Sequence, residues 1–217
     1  KIAGKSVTEA EWYRSLPAPK KPFLWSLRDN TNYMETGVLA ALDYTAKHGP
    51  DMLRNFWRRG RNAVEKGRKE PPFAVAIPEE QADRGRLAVL VNLLRAHGLE
   101  VSRAKAAFKT REGSFPAGTF LVRLDQPYRN YAVDLLTPQH YPLDGSEPYD
   151  DVSWSLPAHY HLDVRPTADP RVRDLPLTPL TTAPAPKGGV SGTGAVYMLK
   201  DTGQEGLFEA RYQLASV

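Results

Sequence analysis

Cysteine is absent from this chain of 217 residues. Its absence excludes disulfide bonds, zinc sites built from thiolates and catalysis by a cysteine nucleophile. Long apolar runs are lacking too, so no stretch could span a bilayer, and Lys1 does not open a signal-peptide pattern. We therefore expect no membrane partner, while an oxidising compartment stays compatible with the composition. A start on Lys rather than Met leads us to expect a processed, trimmed or partial protein.

A large charge of either sign is also lacking, because 29 basic and 25 acidic residues leave a net charge of +4. The overall balance therefore indicates no polyanionic partner. Basic residues do concentrate on one predicted helix, at Arg54, Arg58, Arg59, Arg61 and Lys66. Such a helix could bind nucleic acid or another anion, and binding would then weaken steeply with salt. Without interleaved exposed aromatic residues or a nucleic-acid motif, we interpret it as a solvated face and expect no nucleic-acid partner.

Proline, in contrast, is abundant, with 19 residues in the chain. The prolines cluster within residues 17–22, 71–78, 138–157 and 166–186, and these clusters predict joints between ordered segments. Residues 1–70 then form one region and residues 71–217 a second one. Within the second region, residues 166–194 are rich in Pro, Thr and Gly and are predicted to be a linker. We expect the second region to continue beyond Val217.

The clearest structural pattern lies in residues 73–102. Residues 73–77 are uncharged and lie between two prolines, which predicts a short buried strand. A helix with Gly98 as its stop signal follows, and a second strand begins at Leu99. A strand, a helix and a strand predict a βαβ unit with a parallel crossover, and hence an α/β fold with a short parallel sheet of the flavodoxin type. The apolar stripe of the helix is Leu87, Leu90, Val91 and Leu94.

The region before this unit is predicted to hold a strand and two helices. The strand is the apolar run of residues 23–27. The first helix ends near His48-Gly49-Pro50, and the second begins at Asp51 as a capping residue. Their predicted buried stripes are Met34, Val38, Ala41, Leu42 and Thr45 on the first, and Leu53, Phe56, Trp57, Gly60 and Val64 on the second.

Further elements are predicted after residue 102. Strands are expected at residues 107–108, 118–122, 161–164 and 195–199, with a turn at residues 111–114. Gln126 and Pro127 open a helix, and a short helix is expected at residues 149–154. Residues 207–214 are consistent with a helix or with a strand.

The chain shows no complete catalytic set. His159 and His161 are two residues apart, so on a strand they would share a face that a metal could use. A zinc site usually needs a third protein ligand, and the alternative is a pair of ordinary sheet or loop histidines. His97 and Glu100 have a His-x-x-Glu spacing but straddle the stop at Gly98, which indicates a helix end.

Three other features have a structural alternative to a chemical role. Asp150 and Asp151 beside Glu147 could form an acid–base pair or a calcium loop, but adjacent carboxylates at a helix start usually cap it. The glycine-rich residues 188–194 precede a strand instead of following one, so we interpret them as flexible and not as a phosphate loop. The serines lack the flanking glycines of a nucleophile elbow.

A series of motifs in collinear order covers nearly the whole chain. It comprises Trp25-Ser-Leu-Arg-Asp29, Leu53-Arg-Asn-Phe-Trp57, Pro71-Pro-Phe-Ala-Val-Ala-Ile-Pro78, Pro116-Ala-Gly-Thr-Phe-Leu-Val122, Gln126-Pro-Tyr128 and Pro148-Tyr-Asp-Asp-Val-Ser-Trp-Ser-Leu-Pro157. This series resembles the region that follows the catalytic core in large secreted bacterial proteins of the zinc carboxypeptidase (carboxypeptidase A-like) superfamily. The resemblance implies a secreted or periplasmic location and zinc in the parent family. It places the zinc ligands of that family upstream of this region, so no cofactor is expected in this chain.

The resemblance also implies a division of the chain. In the family, a strand reading Phe-Thr-Phe-Glu-Leu-Arg-Asp carries the general-base Glu, and Phe23-Leu-Trp-Ser-Leu-Arg-Asp29 aligns with it. Ser26 occupies the position of that Glu, and a neutral hydroxyl cannot take a proton from zinc-bound water as a carboxylate does. On this reading, residues 1–70 close a carboxypeptidase-like domain with a strand and two helices. Residues 71–217 are an accessory domain resembling class I glutamine amidotransferases without their Cys nucleophile.

We therefore expect the C-terminal, non-catalytic portion of a zinc-metallocarboxypeptidase-like protein, whose partner is an upstream peptidase domain of the same protein. The parent activity that the resemblance implies is metal-dependent hydrolysis of C-terminal peptide bonds. The alternative is a non-catalytic module that binds a peptide or glycan at the carboxyl ends of its strands. The candidate binding residues are Glu79, Gln126, Tyr128 and Asp150, together with Gln81 and Asp125.

Overall fold

A computed structural model describes residues 21–138, 155–185 and 188–216. The chain forms two compact units. One comprises Lys1–Phe56 with Tyr141–Asp151, and the other Trp57–His140 with Val152–Val217. The joint predicted at residues 70–71 falls inside the second unit, which begins part of the way along the first helix.

The first helix, α1, spans Leu27–Lys69 and is kinked in its middle. His48 departs from helical geometry, with φ −119° and ψ 21°, two residues before Pro50. Proline removes a backbone hydrogen bond from a helix and its ring clashes with the preceding turn, so a kink is expected here. The two helices predicted on either side of His48-Gly49-Pro50 are confirmed, and they join end to end.

The strand predicted at residues 23–27 is wrong. Residues 22–26 are irregular, and α1 begins at Leu27. The backbone N–H and the hydroxyl of Ser26 both donate to the Asp29 carboxylate, at 2.8 and 2.6 Å. This arrangement resembles half of a capping box, and it converts the end of the apolar run into a helix start.

The second unit is built on a five-stranded sheet. Its strands are β1 Ala74–Ile77, β2 Ser102–Ala104, β5 Phe120–Arg123, β6 Arg165–Thr167 and β7 Leu177–Pro179, in the spatial order β6-β1-β5-β2-β7. Strands β3 Phe108–Thr110 and β4 Gly113–Phe115 form a separate hairpin, around the turn predicted at residues 111–114. Every pair of neighbouring strands in the five-stranded sheet is antiparallel.

The parallel, flavodoxin-like sheet predicted from the strand–helix–strand pattern is therefore wrong. Strands β1 and β2 do run in the same direction, since each pairs antiparallel with β5. They are not neighbours, because β5 lies between them, with Phe120 opposite both Ile77 and Arg103. The chain thus forms a split βαβ unit, in which a later strand fills the gap that the crossover leaves.

The remaining helices are short. They are α2 Arg84–Ala96, α3 Arg129–Leu136, α4 Leu156–Tyr160 and α5 Glu205–Gln213, with 3-10 turns at Pro170–Asp174 and Leu214–Ser216. Residues 207–214, consistent with a helix or a strand by sequence, are mostly helical and fall on α5. The helix predicted at residues 149–154 lies outside the described residues. Residues 195–199, predicted as a strand, are irregular, and Met198 is 97% exposed.

Each face of the sheet has its own apolar cluster, because side chains alternate along the strands. Val75, Ile77 and Val122 point to the cluster that contains the α2 stripe, where Leu87, Leu90, Val91 and Leu94 are buried as predicted. The opposite cluster consists of Phe73, Ala74, Ala76, Phe115, Leu121 and Val172. Phe108 of the hairpin packs against this second cluster, so both faces of the sheet are covered.

The end of α1 approaches β5 closely at Gly67. A Cβ atom built on Gly67 would lie 1.8 Å from the carbonyl oxygen of Leu124, so only glycine fits there. Arg129 of α3 holds the chain just beyond this point, because its guanidinium donates to the carbonyl oxygens of Glu70 and Pro71 at 3.4 and 3.2 Å. The arginine is only 4% exposed, and this burial lowers its pKa.

The segment 166–194, predicted as a linker, contributes both edge strands of the sheet. Each edge strand carries a proline, Pro166 in β6 and Pro179 in β7. Proline cannot donate to a ladder of hydrogen bonds, so it is confined to edges, where it also discourages pairing with another chain. The strand predicted at residues 161–164 begins later, at Arg165, because α4 precedes it.

The fold generates a stability prediction for α2. Leu90→Asp places a charge at a fully buried position facing the sheet, and we expect a loss of at least about 3 kcal/mol in the free energy of unfolding. Val89→Asp is the matched control, because Val89 is on the same helix and 53% exposed. Thermal unfolding followed by circular dichroism measures both variants. Equal melting temperatures for Leu90→Asp and the unmodified chain would show that the α2 face is wrongly assigned.

Candidate functional site

Two of the predicted binding residues hold the fold together. The side-chain oxygen of Gln126 accepts the backbone N–H of Glu100 at 2.8 Å, and its amide nitrogen donates to the carbonyl oxygens of Glu100 and Arg123. Gln126 is 4% exposed. Gln81 pairs with the backbone of Asp163 in the same way, through bonds of 2.8 and 2.9 Å. Both amides are therefore occupied by distant backbone groups.

The other predicted binding residues are dispersed. Tyr128 precedes α3, is 43% exposed and lies against Gly98. Asp125 forms two hydrogen bonds with Arg123, at 2.9 and 2.6 Å. Burial alone would raise the pKa of Asp125, but the Arg123 guanidinium outweighs it and the pKa is lowered. Asp150 lies outside the described residues.

The histidines proposed as metal ligands do not lie on a strand. His159 is on the five-residue helix α4, and His161 follows it in a left-handed conformation with φ 53°. The condition for a common face, a strand that contains both histidines, is therefore not met. Among residues 21–138, 155–185 and 188–216, no group of three or more His, Asp or Glu residues is placed to hold a metal. His97 instead contacts Tyr131, with 2.7 Å between its Nδ1 and the phenol oxygen.

Ser26 lies at the position that the resemblance gives to a general base. It donates hydrogen bonds to the Asp29 carboxylate at the start of α1. The hydroxyl of Ser26 lowers the pKa of Asp29 by its hydrogen bond to the carboxylate. The Ser26 hydroxyl thus donates a hydrogen bond to a charged group next to it.

Glu79, in contrast, lines a cavity of about 230 Å³ in the second unit. The cavity lies where β1 ends and α2 begins, between the first turns of α2 and the start of β5. Its walls are Glu79, Arg84, Leu87, Ala88, Arg103, Phe120, Pro184 and Ala185. Sequence reasoning identified Glu79 but not the two arginines, because Arg103 reaches the cavity from β2 and Arg84 lies outside the apolar stripe of α2.

Arg103 is fixed in this cavity by three contacts. Its guanidinium lies 3.0 Å from Oε2 of Glu79, donates to the carbonyl oxygen of Gly118 at 3.2 Å, and lies 4.1 Å from the centre of the Phe120 ring. Gly118 has φ +87°, a backbone conformation that favours glycine. An arginine paired with a carboxylate and stacked on a ring keeps one orientation.

A second, larger cavity of about 520 Å³ borders α4. It brings Gln81, His161 and Asp163 together. The Gln81 amide is bonded to the Asp163 backbone, and the Asp163 carboxylate is bonded to Arg165 at 2.9 and 2.6 Å. Gln81 and Asp163 are therefore already paired within the fold, and we take the smaller cavity as the better candidate site.

The chain was compared with known proteins at three levels. No protein-family model, no curated protein and no solved structure matches it. Within the described part of the chain, no helix is long and apolar enough to cross a membrane. The geometry of the described residues is therefore what supports a function.

Outside the cavities, two carboxylates anchor the hairpin and the β6 edge. Glu112, between β3 and β4, accepts the Thr167 hydroxyl at 2.6 Å and the Ala168 N–H at 2.8 Å. Burial would raise the pKa of Glu112, but these hydrogen bonds outweigh it and lower the pKa. Asp169 caps the 3-10 turn and accepts from Arg171, whose Nε lies 3.0 and 3.1 Å from its two oxygens. The Arg171 bonds lower the pKa of Asp169 to about 2.

The lowered pKa of Asp169 generates a pH prediction. A carboxylate whose pKa is lower in the folded chain stabilises it above the unfolded pKa, and this stabilisation is lost as pH falls toward about 2. We expect Asp169→Asn to melt at a lower temperature at pH 7, with the difference from the unmodified chain shrinking between pH 4 and pH 2. Asp174→Asn, an exposed change in the same turn, is the control. A difference that stays constant with pH would contradict the ionic role of Asp169.

The buried Gln126 amide generates a second prediction. Gln126→Ala leaves the Glu100 N–H and two carbonyl oxygens without their partner, and we expect a loss of about 1–3 kcal/mol in the free energy of unfolding. Gln213→Ala on α5, where the amide contacts only Glu209 in the same helix, is expected to change little. Urea unfolding measures both. If Gln126→Ala left the free energy of unfolding nearly unchanged, the fold would not need this side chain, and Gln126 would stay a candidate binding residue.

Proposed function

We propose that this chain is the non-catalytic C-terminal portion of a zinc-metallocarboxypeptidase-like protein, located in a secreted or periplasmic compartment. The first half of α1 packs against the upstream peptidase domain of the same protein. The sheet of the second unit is an accessory domain. The zinc and the water-activating groups belong to the peptidase domain and not to these 217 residues.

The exposed apolar stripe of α1 supports this proposal. The stripe predicted to be buried on its first half is open to solvent, since Met34, Val38 and Leu42 are 72%, 60% and 61% exposed. Leu27 continues the same face and is 80% exposed. The opposite face carries polar residues, namely Asp29, Asn32, Thr36, Asp43 and Lys47. An amphipathic helix gains stability by burying its apolar face.

The same exposure continues beyond the kink. Leu53 and Phe56 are 72% and 66% exposed, and both were predicted to be buried. Contiguous apolar surface of this kind on a soluble protein usually marks a contact with another polypeptide. The resemblance of residues 23–29 and 53–57 to the closing elements of a carboxypeptidase-like domain makes that domain the expected partner.

The proposal predicts the metal content and activity of the chain. The purified chain is expected to contain no stoichiometric zinc and to show no turnover of a chromogenic carboxypeptidase substrate, because the zinc and its water-activating groups lie outside it. Elemental analysis and the assay are made on one sample. About one zinc per chain together with turnover would contradict the proposal.

The role of the α1 stripe is tested in the natural polypeptide that contains this sequence. We expect that polypeptide to bind zinc and to hydrolyse C-terminal peptide bonds, and we expect Met34→Glu with Leu42→Glu to lower its melting temperature. Thr36→Glu, on the polar face of the same helix, is the matched control. A natural polypeptide without zinc and without this activity would refute the assignment. Equal changes in melting temperature for the substitutions on the apolar and polar faces would refute the docking role.

A further inference from the structure

The described residues that line the smaller cavity carry one positive charge in excess. Of their three charged side chains, Glu79 and Arg103 pair with each other at 3.0 Å. Arg84 forms no hydrogen bond or ion pair with any residue that the structure describes. Asp83 next to it does not neutralise it, because one Asp83 oxygen accepts the Arg86 N–H at 3.0 Å and the other lies 3.7 Å from the Arg86 guanidinium.

The other described residues of the lining are apolar. Leu87 and Ala88 of α2 and Phe120 of β5 are at most 5% exposed, and Pro184 and Ala185 form the facing wall. A volume of about 230 Å³ is below the range of about 300–1,000 Å³ that is typical of sites for drug-sized ligands. The lining therefore suits a small molecule with an apolar body.

The facing wall is held in place without a ligand. Asn92 donates to the Pro184 carbonyl oxygen at 3.2 Å, and Arg95 donates to that of Thr181 at 3.0 Å. The N–H of Leu180 donates to the carbonyl oxygen of Val101 at 2.9 Å. Since the wall and Arg103 are already ordered, a ligand would not have to order them on binding, and this lowers the cost of association.

We propose that this cavity binds a small organic carboxylate with an apolar body. The body lies between α2 and the Phe120 ring, and the carboxylate pairs with the Arg84 guanidinium, whose planar fork suits a carboxylate. The N-terminus of α2 adds a favourable dipole at the same end of the cavity. This inference does not depend on the proposed docking of α1.

The first experiment uses the full chain and two probes of the same shape. 3-Phenylpropionate carries the charge, and 3-phenylpropionamide lacks it. In a titration followed by backbone N–H chemical shifts, the signals of Arg84–Ala88, Arg103 and Phe120 are expected to move. 3-Phenylpropionamide is expected to bind at least about tenfold more weakly than 3-phenylpropionate. Equal affinities, or shifts confined to other parts of the chain, would overturn the proposal. Acetate binding as tightly as 3-phenylpropionate would overturn the role of the apolar wall.

Variants then test the two halves of the site separately. Arg84→Gln is expected to weaken 3-phenylpropionate about tenfold, whereas Lys109→Gln, an exposed change on β3, leaves the affinity unchanged. Ala88→Leu fills the cavity and is expected to abolish binding. Its melting temperature is recorded alongside, and if it does not fold, the comparison of the two probes on the unmodified chain still decides. Unchanged affinity in Arg84→Gln would overturn the proposal.

Discussion

The insertion of β5 between β1 and β2 is the constraint on which the second unit depends. Phe120, Leu121 and Val122 of this central strand are at most 1% exposed, and β5 pairs with a neighbour on each side. Because its side chains alternate, β5 contributes Val122 to one apolar cluster and Leu121 to the other. Both clusters and the edge strands beyond β1 and β2 are therefore placed by this single strand.

Polar side chains attach the periphery to this centre by bonding to backbone groups. Gln126 connects the end of β5 to Glu100, and Gln81 connects the end of β1 to Asp163. Glu112 ties the hairpin to Thr167 and Ala168. Side chains with both a donor and an acceptor can satisfy a backbone segment that has no strand beside it, which explains why glutamines recur in these positions. The same bonds remove these residues from the set available for a ligand.

The candidate site was only partly predictable. Glu79 could be placed at a strand end because the strand before it is marked by a short apolar run between prolines. The roles of Gln81 and Gln126 could not, because their partners lie 82 and 26 residues away in the chain. Arg103 becomes part of the cavity only when β5 brings Phe120 and Gly118 beside it. Local sequence carries no information about such contacts.

By itself, the sequence determined the local elements: the buried strand β1, the α2 stripe, the stop at Gly98 and the break between two helical segments near Pro50. Each depends on periodicity or on the backbone preferences of Pro and Gly, which act within a few residues. Only the tertiary structure decided the antiparallel strand order, the edge role of Pro166 and Pro179, and the exposure of the α1 stripe. These properties depend on which distant segments meet. The crossover helix specified the common direction of β1 and β2. The strand β5, which comes later in the sequence, lies between them and is the neighbour of both.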